Sequence, residues 1–376
     1  MAVRSGAVAG MALDPGFWSG RRVFITGHTG FKGSWLTLWL VRLGAEVAGL
    51  SHDVPTDPSL YRLATVAQQI ESIEADVRDY AAVRDAIARI RPEVVFHLAA
   101  QSLVRRSLAE PRETYETNVM GTVNVLEAVR SFGGTRVLIN VTSDKCYANR
   151  EWEWAYREDE PMGGDDPYSS SKGAAELVTA AYRRSLLGDG DAATRVGTVR
   201  AGNVIGGGDW AEDRLVPDLM RAALAGEVLR VRNPDAVRSW QHVLNPLSGY
   251  LLLAQALWDE PRFAAAWNFG PSDEDARSVR WVVERLVERW PRNLRWQHES
   301  TVQPREAQRL KLDSSRARAR LDWEPRWDLE SGLDAVVEWY AAYMAGSDAR
   351  ATTVAQIERF MANDEGERGQ RRAIAR

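Results

Sequence analysis

A single cysteine, Cys146, stands among the 376 residues. With no partner it excludes an internal disulfide, and it leaves no cysteine-rich metal motif. No metal site is expected. Charge of one sign is also missing: Lys and Arg number 48 against 52 Asp and Glu, a net charge of −4. That balance argues against the basic surface a nucleic-acid binder needs. No run approaches the ~20 consecutive apolar residues of a membrane helix. Residues 1–19 lack the continuous apolar centre of a secretory signal. No membrane partner is expected, and a reducing cytoplasm fits a chain without disulfides. Internal repeats and low-complexity stretches are absent as well.

What is present is enough to build a sizeable core, since 45% of the residues are hydrophobic. From Arg21 onward short apolar runs alternate with longer amphipathic stretches. "RVFITG", "EVAGLS", "VVFHLAA", "RVLINVTS" and "RVGTVRAGNVIG" read as strands. Between them "KGSWLTLWLVRLG", "AVRDAIARIRP", "ETNVMGTVNVLEAVRSFGG" and "SSKGAAELVTAAYRRSLL" read as helices, ended by glycine or proline. Steady strand–helix alternation predicts an α/β domain with a doubly wound parallel sheet, over residues 20–200. Beyond residue 200 the rhythm loosens, with helices such as "LSGYLLLAQALWD" and "SVRWVVERLVERW" between loops. This predicts a smaller lobe over 201–345, with a soft boundary because such chains often lend a strand back to the sheet. Residues 1–19 are expected as a loose extension, with Met11 a candidate start. Residues 346–376 are expected as a tail whose polar end, "EGERGQRRAIAR", frays.

"TGHTGFKG" follows the first strand and opens the first helix, with Gly27, Gly30 and Gly33 at three-residue intervals. Side chains there would push a pyrophosphate away from the helix N-terminus, whose free N–H groups favour anions. The strand–loop–helix context makes this a dinucleotide-binding loop. An acidic residue normally ends the second strand to hold the ribose. Here that end reads "GLSHD", with Ser51 or His52 at the tip and Asp53 late. Lys32, inside the loop, is a candidate phosphate partner, including for the extra phosphate of NADP. Asp76 is placed either to meet the adenine or to cap the next helix.

"YSSSK" puts Tyr168 four residues before Lys172, one helical turn apart. A nearby ammonium favours the phenolate, and such a tyrosine can take a proton from a sugar hydroxyl as a nicotinamide takes the hydride. Ser143 ends a neighbouring strand and can share that proton. It is followed by Asp144 and Lys145, so "TSDKCY" sets a hydroxyl, a carboxylate and an ammonium side by side. Cys146 reads as a packed residue. Among the 15 tryptophans, Trp35 and Trp39 sit at core spacing, and Trp152 and Trp154 are candidates for the pocket rim.

The set "TGHTGFKG", "HLAAQ", "NVMGT", "TSDKCY" and "YSSSK" resembles the extended short-chain dehydrogenase/reductases. Within them, "TSDKCYANREWEW", "VRAGNVIGGGDWAEDRLVPD" and "WQHVLNPLSGYL" are similar to the CDP-glucose branch of the 4,6-dehydratases, over about residues 20–343. The resemblance implies a Rossmann-type NAD domain and a C-terminal lobe for a nucleotide-sugar, here CDP-glucose. It implies oxidation at C4, loss of water across C5 and C6, and hydride return to C6, serving deoxysugar synthesis. Ser143, Tyr168 and Lys172 would handle the first step. Asp144 would be the acid toward the C6 oxygen, and Lys145 the C5 base or the charge that stabilises the enolate. A lysine acts as base only where burial or a second cation disfavours its charge, and Lys172 is the candidate cation. The implied cofactor contacts are Gly27, Thr29, Gly30, Phe31, Lys32, Gly33, Asp76, Val77, Leu98, Ala99, Ala100, Asn118, Tyr168 and Lys172. The implied substrate contacts are Gln101, Asn203, Arg238, His242 and Arg305. Ser239 and Arg305 depart from the family pattern, which often has proline and histidine there. A homodimer built on the helices around Val119–Arg130 and after Lys172 is also implied. Another nucleotide-glucose, a 4-epimerase, or a non-catalytic dinucleotide-binding regulator are the alternatives; an epimerase has no use for the Asp-Lys pair.

Overall fold

In the computed structural model the described residues are 12–188, 193–299 and 309–374. Strands β1 (Arg22–Thr26), β2 (Glu46–Ser51), β3 (Glu71–Glu74), β4 (Val94–His97), β5 (Val137–Val141) and β6 (Arg195–Arg200) run parallel in the order β3-β2-β1-β4-β5-β6. Helices α1 (Phe31–Arg42), α2 (Tyr80–Ile90), α3 (Gly121–Phe132) and α4 (Pro167–Ser185) connect them. The strand side chains alternate between two cores. Phe24, Val95, Leu138 and Val196 meet Val83 and Ile87 of α2 and Val125 of α3. Val23, Ile25, Phe96 and Ile139 pack on the other face, in one core with Trp35 and Trp39 of α1. Both faces are covered, so the strands carry apolar residues at nearly every position. β3 is the exception. It is a largely exposed edge strand, "ESIE", and its polarity hides it from a search for apolar runs.

Past β6 the chain enters the smaller lobe through β7 (Asn203–Ile205), β8 (Val228–Val231) and β9 (Val237–His242). Then α5 (Leu244–Asp259) and β10 (Ala266–Asn268) return to the main domain. β10 pairs with β6 as a seventh parallel strand, Asn268 opposite Arg200. α5 is buried almost all round, between the sheet and the lobe; Ser248 accepts from Trp323 Nε1 at 3.0 Å. The lobe resumes with β11 (Ala276–Ser278), β12 (Arg295–His298) and β13 (Arg309–Leu310), then α6 (Leu329–Met344). β7, β11 and β13 flank β9, while β12 pairs with β8. A loop crosses the other way, where Tyr156 bridges to Leu312. The boundary at residue 200 is therefore an interleaving of two lobes.

Both termini correct the sequence reading. Within residues 1–19, the described part from residue 12 is packed. Pro15–Trp18 form a helical turn, and Trp18 is fully buried with Nε1 3.2 Å from Gln255 Oε1. Within 346–376, α7 (Ala349–Ile374) is helical, and Phe360 is buried between Trp39 and Trp327, with centroids at 5.6 and 5.3 Å. Polar sequence around a few apolar positions concealed this docking face. Phe360→Ala is expected to cost about 3–5 kcal/mol, as for other buried phenylalanines. Urea unfolding checks it; a cost below about 1 kcal/mol means that the tail does not pack.

Candidate active site

The glycine loop turns sharply out of β1 at Gly27, φ +79°. A Cβ there would lie 2.7 Å from the Ala99 backbone nitrogen, and one at Gly33 would lie 2.0 Å from the Gly27 carbonyl oxygen. Gly30 differs: its Cβ would meet only that oxygen, at 3.5 Å, so any demand for glycine at position 30 comes from a ligand. The loop is pinned from beneath. Thr29 Oγ1 donates to the Asp53 carbonyl at 2.6 Å, and Ser51 Oγ lies 2.9 Å from His28 Nδ1. His28 was not singled out in the sequence. Its ring fills the space above Gly49, and burial pushes its pKa down to about 4.

A cleft of about 970 Å³ opens over this loop, at the carboxyl ends of the strands. Gly27, Thr29, Gly30, Phe31, Lys32, Gly33, Asp76, Val77, Leu98, Ala99, Ala100, Gln101, Tyr168 and Lys172 all line it. The cleft and its close-set backbone loop fit a dinucleotide, whose pyrophosphate the α1 N-terminus would hold. Asn118 does not line the cleft. It sits behind it in a π-helical turn, Glu116–Met120, holding Gln101 by both main-chain groups at 2.9 and 3.0 Å. Asp76 is at the cleft but paired to Arg78, and Asp79 takes the capping role on α2, accepting from Ala81 N at 2.9 Å. The β2 tip offers no carboxylate at Ser51 or His52; Asp53 lines the cleft just beyond.

β5 delivers the triplet. Ser143 caps a single 3₁₀ turn, Asp144–Cys146, its Oγ accepting from Lys145 N at 3.2 Å and donating to Asp144 Oδ1 at 3.0 Å. Asp166 caps α4, accepting from Ser169 N at 2.9 Å, and the helix it starts carries Tyr168 close enough to Ser143 for the hydroxyl to favour the phenolate. Lys172 Nζ reaches the Val141 carbonyl at 3.4 Å. Burial pushes the Tyr168 phenol up to about 12, with the Ser143 bond only partly offsetting it. It pushes Lys172 down to about 8, helped by Lys32, and Lys32 down to about 8, helped by Arg214. Asp144 is also raised by burial, against the opposing pull of Lys145. The expected lowering of Tyr168 by an ammonium is not seen: desolvation dominates, and the cation that opposes it is the Arg214 guanidinium.

The lobe supplies Arg238 on β9, which acts electrostatically on Asp144, and half-buried Asn203 on β7. His242 is corrected: it is fully buried between Trp35 and Trp327, away from the cleft lining. Arg305 lies outside the described residues. Of the rim tryptophans, Trp152 stacks on Tyr156 and Trp154 is exposed; neither lines the cleft. Arg214 does, and it was missed. It bridges the lobes, donating to Asp209 Oδ2 at 3.1 Å and Ser102 Oγ at 3.0 Å. Cys146 is buried and its thiol raised well above the ordinary value by burial, so it packs. Among the described residues no His/Cys/Asp/Glu cluster suits a metal, and no helix is long and apolar enough to cross a membrane.

A Rossmann sheet whose cleft is lined by Tyr168 and Lys172, with Ser143, Asp144 and Lys145 just past the lining residue Thr142, defines an extended short-chain dehydrogenase/reductase. A family model described as GDP-mannose 4,6 dehydratase matches residues 24–336, and the chain belongs to that family. CDP-glucose 4,6-dehydratase of Salmonella typhimurium is 50% identical over 353 residues, 93% of this chain and 98% of that protein. Among solved structures, dTDP-glucose 4,6-dehydratase DesIV of Streptomyces venezuelae, with NAD and TYD bound, has a TM-score of 0.73 at 22% identity, covering 88% of this chain and 99% of its own. UDP-glucose 4-epimerase of Thermotoga maritima, with UDP-glucose, has a TM-score of 0.73 at 22% identity, covering 86% and 99%. The fold alone therefore does not choose between dehydration and epimerisation.

Three buried imidazoles, His28, His97 and His242, are pushed down by burial to about 4, 3 and 3. Their folded pKa values lie below the unfolded ~6.5, so stability is complete above pH 6.5 and is lost as pH falls toward 4. Each contributes up to ~1.4 kcal/mol per pH unit in that window. The melting temperature should decline steadily from pH 6.5 to 4.5; a flat profile there contradicts their burial as neutral rings.

Proposed function

We propose that this chain dehydrates CDP-glucose to CDP-4-dehydro-6-deoxyglucose, using NAD+ that is regenerated in each turnover. The observation that carries this reading is the Ser143-Asp144-Lys145 turn, set against Tyr168 and beside Lys172. The 50% identity to a CDP-glucose 4,6-dehydratase supports the choice of nucleotide. Bound NAD+ would supply the hydride acceptor for C4, and the NADH so formed would be the hydride donor for C6. Tyr168 takes the proton of the C4 hydroxyl, relayed through Ser143. Lys172 provides the cation that steadies the phenolate, and its positive form prevails below about pH 8.

The C4 ketone makes the C5 proton acidic. Lys145 is the base that takes it or the charge that stabilises the enolate, and Asp144 protonates the C6 hydroxyl so that it leaves as water. Burial raises the proton affinity of Asp144, the direction an acid requires. The α1 N-terminus and Lys32 hold the cofactor phosphates; Arg238, Arg305 and Asn203 serve the nucleotide-sugar diphosphate. Two copies pair through α3 and α4, where Met120, just before α3, and Leu177, on α4, are 50% and 61% exposed. The cytoplasm is the compartment that fits a nucleotide-sugar substrate and a lone buried thiol.

Incubation with CDP-, dTDP-, UDP- and GDP-glucose is expected to give the alkaline absorbance of a 4-keto sugar with CDP-glucose first. No 4-keto product from any of them rejects the reading. Lys145→Ala should lower product formation by roughly 10²–10⁴-fold while C4 oxidation persists as bound NADH. Product release at the parent rate would remove Lys145 from its role. The rate should also fall on the alkaline side with a midpoint near pH 8, as the Lys172 ammonium is lost; a flat profile to pH 10 would contradict that.

A further inference from the structure

Beneath the catalytic turn lies a buried ion pair that no step above employs. Glu176 on α4 is 5% exposed and Arg200 at the end of β6 is 3% exposed. Arg200 grips the carboxylate with both prongs, Nε to Oε1 at 2.8 Å and Nη2 to Oε2 at 2.9 Å. Thr142 Oγ1 donates to Oε1 at 2.5 Å and Thr198 Oγ1 to Oε2 at 2.7 Å. Burial would raise this carboxyl, but Arg200 and the hydroxyl donors outweigh it and hold it below the usual range.

The position of these contacts matters more than their number. Thr142 immediately precedes the triplet. Tyr147 ends its turn, and the Tyr147 hydroxyl accepts from Arg200 Nη1 at 2.6 Å while donating to Asn268 Oδ1 at 2.8 Å. Ala201, next to Arg200, accepts from Asp144 N at 3.3 Å. Glu176 itself lies one turn past Lys172 and two past Tyr168, on the same helical face. One ion pair thus holds both ends of the triplet and the helix that carries its partners. Stability is a weak reason for such a pair, since buried pairs roughly break even against apolar replacements.

Resting on the function proposed above, we propose that Glu176 and Arg200 are positioning residues for the dehydration. They lock the Ser143–Asp144–Lys145 turn in register with Tyr168 and Lys172. Glu176 also supplies negative charge beneath the Lys172 ammonium. The other charged or titratable groups around that site are Lys32 from α1, His97 from β4, Asp144, Lys145 and Cys146 from the turn, Arg200 from β6, and Tyr168 and Arg183 on α4.

The test compares Glu176→Gln, Arg200→Met and the double variant, each as NAD-loaded full-length protein. The double variant removes both charges and should melt within a few degrees of the parent. Its kcat should fall at least 30-fold with KM for CDP-glucose within threefold. The alkaline limb of kcat should move to lower pH in Glu176→Gln, to higher pH in Arg200→Met, and return in the double variant. Opposite shifts that cancel are not produced by a structural role alone. Amide exchange over residues 142–147 should speed up at least tenfold in the double variant, with β1 unchanged. Where a single variant does not fold, the double variant decides. A folded double variant with parental kcat and parental exchange overturns the proposal. If the parent makes no 4-keto sugar, the dehydratase reading falls, while exchange at 142–147 still decides whether the pair clamps the turn.

Discussion

Lys172 reaches the carbonyl of Val141 from a position only 5% exposed, and the site takes its character from that desolvation. Removing water disfavours each charged form. It depresses Lys172 and Lys32 to about 8 and lifts Tyr168 to about 12 and Asp144 above its ordinary value. Ammonium groups that release protons more readily thus stand beside a carboxyl group that binds its proton more tightly. A cluster of groups with displaced affinities is the arrangement that proton-transfer chemistry near neutral pH requires. Glu176 and Arg200 sit below this cluster as a closed pair; under the proposed function the groups above them exchange protons with substrate.

The fold produces that burial by topology. Parallel strands end at one edge, so β1, β4, β5 and β6 bring the glycine loop, the Leu98–Gln101 segment, the triplet and Arg200 to the same side. The second lobe is then closed over that edge by chain that crosses in both directions. α5 and β10 return to the sheet, while Tyr156 reaches out to Leu312. Arg214 spans the gap to Ser102. Chain crossing in both directions ties the two lobes together.

Much of this was legible in the sequence because local chemistry demanded it. Gly27 and Gly33 are required by backbone approach, and Tyr168 and Lys172 by helical spacing. The apolar runs of β1, β2, β4, β5 and β6 announce the sheet. Other parts depend on partners far away in the chain. β3 is polar because it is an edge, and α7 docks through isolated residues such as Phe360. His242 sits beside a substrate-like arginine motif yet belongs to the core, because Trp35 and Trp327 enclose it. Arg214 and Arg200 differ from other arginines only by where their strands and loops end. Asn118 was assigned to the cofactor and instead shapes the Gln101 turn, through a π-helical turn that no residue pattern signals.

The central claim is that one hydride leaves C4 and returns to C6 of the same sugar while water departs between the two events. Mass spectrometry and NMR of product made from CDP-glucose carrying deuterium at C4, mixed with unlabelled substrate, test it directly. The account predicts the label in the C6 methyl group, within the molecule that brought it. Label retained at C4, lost to solvent, or scattered to unlabelled molecules would contradict it.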